Sequence, residues 1–193
     1  ATSFAAGIRQ EIESQRSVAD GIAVKRPGVI TFEHALRYVD GFATVSEDAI
    51  RAAIVSLLEV GKTVVEGAGA VPLAALKGGC FPTLQGKRVV LLLSGGNIDV
   101  EVLARVLDRS LVDDHRLVRF RTDVSDRPGS LATILQLVAD GGGNIVSIAQ
   151  DRVFDAGFWE AEVEMTLETR NEAHVRALQT ALEVRGYRVE RLD

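Results

Sequence analysis

Residues 118–193 switch between a two-residue and a helical apolar period in an order that few folds can accept. In "VRFRTDV", Val118, Phe120, Thr122 and Val124 alternate with Arg119, Arg121 and Asp123, the mark of a half-buried strand. Asp126 and Pro128 then mark a helix start, because aspartate can cap free N–H groups and proline is tolerated in the first turn. Leu131, Ile134, Leu135 and Val138 follow at helical spacing, and Gly141-Gly142-Gly143 ends the helix. "NIVSIAQDRVF" and "FWEAEVEMTLE" read as two strands joined at Asp155-Ala156-Gly157. In the second, Trp159, Ala161, Val163, Met165 and Leu167 are expected on one face, with Glu160, Glu162 and Glu164 on the other. Asn171 suits the cap of a last helix carrying Val175, Leu178 and Leu182 and ended by Gly186, after which "YRVERL" closes as a strand. The order βαββαβ predicts the ferredoxin-like split βαβ arrangement.

The first 112 residues carry a different pattern. Helical spacing covers about 31–40, 47–60, 68–78 and 99–111, with Ser46 as a cap and Ile50, Ala53, Ile54 and Leu57 as one face of the second helix. Strands are expected at 42–45 and 89–93, with a weak third at 63–65. The five consecutive aliphatic residues of "VVLLL" (89–93) imply a strand buried on both faces, as in a parallel sheet. Two or three short strands make a marginal sheet, so this half reads as part of a larger α/β domain. The chain is expected to divide into domains at 1–113 and 114–193.

Composition excludes several classes. A formal charge of −5 argues against a nucleic-acid binder, and an RNA-recognition reading of the second half fails on its lack of paired stacking aromatics and on the acidic "EAEVEM". Cys80 is the only cysteine, and His34, His115 and His174 lie far apart, so neither a disulfide nor a metal site is expected. No apolar run approaches the ~18 residues of a membrane span, and no signal peptide is visible, which fits a cytoplasmic protein. Met165 is the only methionine, so the chain reads as one that lost an initiator or as a piece of a longer protein.

Three stretches have the chemistry of a site. Gly67 and Gly69 in "VVEGAGAVPLAALKGG" (64–79) invite a phosphate-loop reading, but Pro72 breaks the GxGxxG spacing. A glycine-alanine helix entry that lets backbone pack closely is the better account. Glu66 stands out as a carboxylate at an apolar edge, where burial would suit it to proton work. Ser94-Gly95-Gly96-Asn97 follows an apolar strand at its C-terminal end, where open α/β sheets bind ligands. A turn with Asn97 or Asp99 as helix cap explains it equally well. "DRPGS" (126–130) opens a helix whose free N–H groups suit an anion such as a carboxylate, or is only a loop-to-helix junction.

Taken together, "ADGIAVKRPG" (19–28), "RYVDGFATVSEDAI" (37–50), "VVEGAGAVPLAAL" (64–76) and "LSGGNID" (93–99) resemble the threonine dehydratases, or threonine ammonia-lyases. These are pyridoxal-phosphate enzymes of the tryptophan-synthase-β type. Residues 118–193, with "DRPGSL" and "GGNIVSI", resemble an ACT domain, the small amino-acid-sensing module. The resemblance covers essentially the whole chain. It implies an α/β fold made of the incomplete C-terminal part of a pyridoxal-phosphate-dependent catalytic domain, followed by a ferredoxin-like βαββαβ ACT domain. It also implies that Ser94 hydrogen-bonds the pyridine nitrogen of the cofactor, that Gly95 and Gly96 admit the ring, and that Glu66 lies beside it. A neutral hydroxyl does not favour a protonated ring nitrogen, which suits elimination of a β-hydroxyl from threonine to give 2-oxobutanoate and ammonia.

The Schiff-base lysine of that family sits in a Ser-x-Lys-x-Arg-Gly segment, and a glycine-rich loop cradles the phosphate. Neither occurs here, where the only lysines are Lys25, Lys62, Lys77 and Lys87. One serine–pyridine bond is worth ~1 kcal/mol net, so the isolated chain is expected neither to hold pyridoxal phosphate well nor to dehydrate threonine. It would need an N-terminal half, on the same or a separate polypeptide. "ATSFAAGI" resembles a metal-binding loop of some relatives, but Ser3 stands where they carry aspartate, and no metal is expected. For the ACT part, the resemblance implies side-by-side pairing into a homo-oligomer. It further implies an amino-acid effector such as isoleucine or valine, held near Asp126, Pro128, Gly129, Ser130 and Asn144. The competing reading is a stand-alone amino-acid-binding regulatory module.

Overall fold

The computed structural model describes residues 1–13, 16–152 and 158–192. They divide into two compact units, the first ending at Leu107 and the second starting at Asp108.

In the first unit, α1 (Thr2–Ala6), α2 (Val29–Tyr38), α3 (Glu47–Glu59) and α4 (Gly67–Lys77) are joined by loops and two short 3-10 turns. α5 (Val100–Asp113) begins in this unit and ends in the second. The four helices expected from periodicity are present, with ends shifted by no more than two residues. The Ser46 hydroxyl caps α3 by accepting the Ala49 N–H at 3.2 Å, and Glu47 and Asp48 in the first turn complement the helix dipole. Ile50, Ala53, Ile54 and Val55 of α3 form a core with Ala70 and Ala74 of α4, Val65, and Val106 of α5. The helix-entry reading of the glycines holds at Gly67, where a Cβ would stand 2.0 Å from the Val18 carbonyl oxygen.

None of the three strands expected here forms a ladder among the described residues. The run at 89–93 is also not buried on both faces, since Val90 is 94% and Leu92 76% exposed. The physical reason is pairing: a strand takes its hydrogen bonds and its cover from neighbouring strands, and the described residues of this unit supply neither.

The second unit follows the expected βαββαβ order: β1 (Leu117–Ser125), α6 (Ser130–Asp140), β2 (Asn144–Asp151), β3 (Glu160–Glu168), α7 (Glu172–Val184) and β4 (Val189–Arg191). The four strands form an antiparallel sheet in the order β2-β3-β1-β4. Phe120, Val163, Met165 and Leu167 of the sheet pack with Ile134 and Val138 of α6 and Val175, Leu178 and Leu182 of α7. The opposite face carries cross-strand ion pairs, Arg119–Glu164 at 3.4 Å and Arg121–Glu162 at 3.5 Å.

Two local expectations are corrected. Trp159 does not join the buried face of β3 but is 77% exposed: it lies beyond the last β1–β3 pair, Ser125↔Glu160, and its ring meets Phe158 edge-on at 4.8 Å. Asp126 does not cap α6: Gly129, at φ +93, holds the N-cap position with no side-chain cap, and Asp126 pairs with Arg152 instead. The Asp155-Ala156-Gly157 turn, with Val153 and Phe154, lies outside the described residues.

Candidate functional site

Glu66 sits just before α4, and its N–H donates to the Gly95 carbonyl at 3.2 Å. Gly95 has φ +112, and a Cβ on it would stand 2.5 Å from Glu66 Oε1. A Cβ on Gly69 would lie 3.1 Å and 3.2 Å from the Gly95 and Ser94 carbonyls. The turn therefore lies against the first turn of α4, with the half-buried Glu66 carboxylate over Gly95. In this way the fold brings Glu66, Ser94, Gly95 and Gly96 together. The Asp99 carbonyl accepts the Leu103 N–H at 2.9 Å at the start of α5, so Asn97 and Asp99 also sit at a helix entry.

These residues fit one edge of a flat heteroaromatic ring. Ser94 supplies an exposed hydroxyl able to donate to a ring nitrogen, and the glycines beside it keep side-chain volume out of the way. Lys77 is at the far end of α4, where its Nζ donates to Ser56 Oγ at 3.4 Å. The Ser3 hydroxyl accepts the Gln10 N–H at 3.0 Å, and no group of acidic, histidine or cysteine side chains is placed to hold a metal ion among the described residues.

In the second unit, Asp126, Pro128, Gly129 and Ser130 line a pocket of about 360 Å³ together with Gln150 and Arg152. Arg152 Nε lies 3.1 Å from Asp126 Oδ1, a largely exposed pair worth ~0–1 kcal/mol and therefore easily exchanged for a ligand's charges. The uncapped N-terminus of α6 adds amides to the same pocket. Asn144 is not part of it. It opens β2 at the far end of the strand from Gln150, ~20 Å away at strand rise, with Nδ2 donating to Glu168 Oε2 at 2.7 Å. Gln150 and Arg152 were missed from the sequence, although two residues apart on an extended segment they share a face.

A third cluster was also missed. Arg191 and Arg176 each donate to Glu172 at 2.8 Å, and these two hydrogen bonds hold its carboxyl down at about 2. Arg191 Nη2 lies 2.8 Å from His115 Nδ1, which is itself 3.5 Å from Glu172 Oε2. His174, by contrast, is a satisfied core histidine: Nδ1 accepts the Arg170 N–H and Nε2 bonds the Gly141 carbonyl.

Comparison with known proteins agrees with this division. Residues 1–95 match the family model for pyridoxal-phosphate dependent enzymes and residues 118–186 that for the ACT domain. An L-threonine ammonia-lyase of Thermotoga maritima is 42% identical over 186 residues, covering 95% of this chain and 45% of its own length. One from Geobacter sulfurreducens is 43% identical, covering 90% of this chain and 43% of its own length. The solved structure of the processed form of threonine deaminase isoform 2 from Solanum lycopersicum aligns with a TM-score of 0.52 at 31% identity, over 57% of this chain and 31% of that one. The chain thus spans less than half the length of these relatives.

Proposed function

We propose that this chain, which is similar to L-threonine ammonia-lyases and joins a match to the pyridoxal-phosphate dependent enzymes to a match to the ACT domain, supplies one wall of a threonine-dehydrating active site and the amino-acid sensor that regulates it. The observation that carries this proposal is the Ser94-Gly95-Gly96 turn folded against Glu66. Pyridoxal phosphate, when bound, supplies the electron sink for loss of the α-proton and β-hydroxyl of threonine. Ser94 would hold the ring nitrogen through a neutral hydroxyl, Gly95 and Gly96 would admit the ring edge, and Glu66 would present a carboxylate beside it. The anchoring lysine and the phosphate cradle come from an N-terminal half.

The experiment mixes the purified 193-residue chain with pyridoxal phosphate and threonine, with and without a polypeptide carrying that half. We expect no cofactor absorbance retained through gel filtration and no 2-oxobutanoate from the chain alone, and both when the half is supplied. Retention and turnover by the chain alone would sink the proposal.

The ACT part favours a second role that does not need the first. The pocket at Asp126–Ser130 offers α6 amides for an α-carboxylate and Asp126 for an ammonium group, which suits a free amino acid such as isoleucine or valine. Asn144 would serve the same ligand only across a pair of chains, because one chain does not bring it to the pocket. The Trp159 carbonyl accepts the Asp126 N–H at 2.9 Å, so this tryptophan reports on the pocket. Calorimetry and Trp159 fluorescence with isoleucine, valine and serine should give heat and a spectral change with at least one; silence in both with all three would count against a sensor.

A further inference from the structure

Glu47 opens α3, yet its oxygens bond elsewhere. Ser46 is the cap of that helix, and the reciprocal carboxylate of a capping box would stand at position 49, which is alanine. The half-buried Glu47 carboxylate reaches instead to a segment thirty residues earlier. Its Oε1 accepts the Ser17 hydroxyl at 2.6 Å, and its Oε2 accepts the Val18 N–H at 2.8 Å. The Ser17 oxygen in turn accepts the Ala19 N–H at 3.0 Å, so one charge ties three consecutive residues down.

The tied segment presses on the candidate cofactor site within the same unit. The Val18 carbonyl is the atom that leaves Gly67 no room for a Cβ. Two residues beyond the buried Ala19, a Cβ on Gly21 would stand 3.3 Å from the Ala68 Cβ and 3.8 Å from Glu66 Oε1. Gly95 approaches that same oxygen, and its carbonyl accepts the Glu66 N–H. The Glu66 carboxylate is thus held by backbone from two segments, residues 18–21 and the Ser94–Gly96 turn. The turn bonds Glu66 directly, whereas residues 17–19 take their place from Glu47.

We propose that Glu47 is a positioning residue for Glu66: by clamping residues 17–19 it keeps residues 18–21 against the start of α4 and so fixes where the Glu66 carboxylate stands. That Glu66 faces a cofactor rests on the function proposed above; that Glu47 sets its place does not.

Hydrogen–deuterium exchange and the Glu66 carboxylate carbon resonance of the isotope-labelled 193-residue chain test this without any cofactor. Glu47→Ala and Ser17→Ala should each speed exchange about tenfold at the Val18 and Ala19 amides and about threefold at the Glu66 and Ala70 amides. Both should also shift the Glu66 resonance. Ser17→Thr, which keeps the hydroxyl, should restore protection and resonance. Asp48→Ala removes an equal charge from the same helical turn and should leave Glu66 unmoved. If Glu47→Ala does not fold, Ser17→Ala decides, because it leaves the helix charge in place. Acceleration confined to residues 17–19, an unmoved Glu66 resonance, or an equal effect of Asp48→Ala overturns the proposal. A failed reconstitution with the N-terminal half would remove the cofactor reading and leave the clamp; an unmoved Glu66 would remove the clamp and leave that reading.

Discussion

At Gly67 the chain has no room for a side chain, since even a methyl would stand 2.0 Å from the Val18 carbonyl. Gly67→Ala must push the start of α4 away from residues 18–19, and Glu66 moves with it. We expect ~1–3 kcal/mol of destabilisation, read as a lowered urea midpoint for the first unit; an unchanged midpoint would mean that the Val18 segment yields freely. Such constraints are only half legible in a sequence. The pairing of glycine with small residues at 67–70 signals a close approach, but not which backbone makes it. Glu66 was visible as an isolated carboxylate, and its place over Gly95 became visible only once α4 and the turn were packed together.

Among the elements, those whose burial repeats locally could be read from the residues. The helices of both units and the strands of the second announce themselves by period, because each carries its own apolar face. The segments at 42–45, 63–65 and 89–93 could not be settled in this way, since a strand is defined by neighbours far away in sequence. Asp126 looked like a cap because the type is right for one; its ion pair with Arg152 decides otherwise. His115 looked unremarkable because the partners that give it a role, Glu172 and Arg191, belong to the last helix and last strand. That cluster has a measurable pH signature. The hydrogen bonds of Arg191 and Arg176 lower Glu172 from 4.5 to about 2, so its contribution to stability is complete above pH 4.5 and is lost as pH falls through about 2. The urea midpoints of the unaltered chain and Glu172→Gln should differ at pH 7 and converge near pH 2. A gap that persists at pH 2 would place the stabilisation elsewhere.

For the molecule as a whole, the two units have unequal self-sufficiency. The second closes its sheet with helices and buries its large apolar residues completely, from Phe120 to Leu182. The first keeps a helical core around Ile54 and Ala70 while its most apolar stretch lies outside. This accords with a chain that covers 45% of the length of its Thermotoga relative. No helix among the described residues is long and apolar enough to cross a membrane.

Val89–Leu93 therefore carries a further consequence. Five uncharged aliphatic residues, four of them exposed and none in a strand ladder among the described residues, form a template on which identical segments from other molecules can stack. The chain should be soluble only below a threshold concentration, above which light scattering rises and thioflavin fluorescence with it. Leu92→Lys, which places a charge at an already exposed position, should raise that threshold severalfold and leave the circular dichroism unchanged. An equal threshold in both proteins would put the self-association elsewhere.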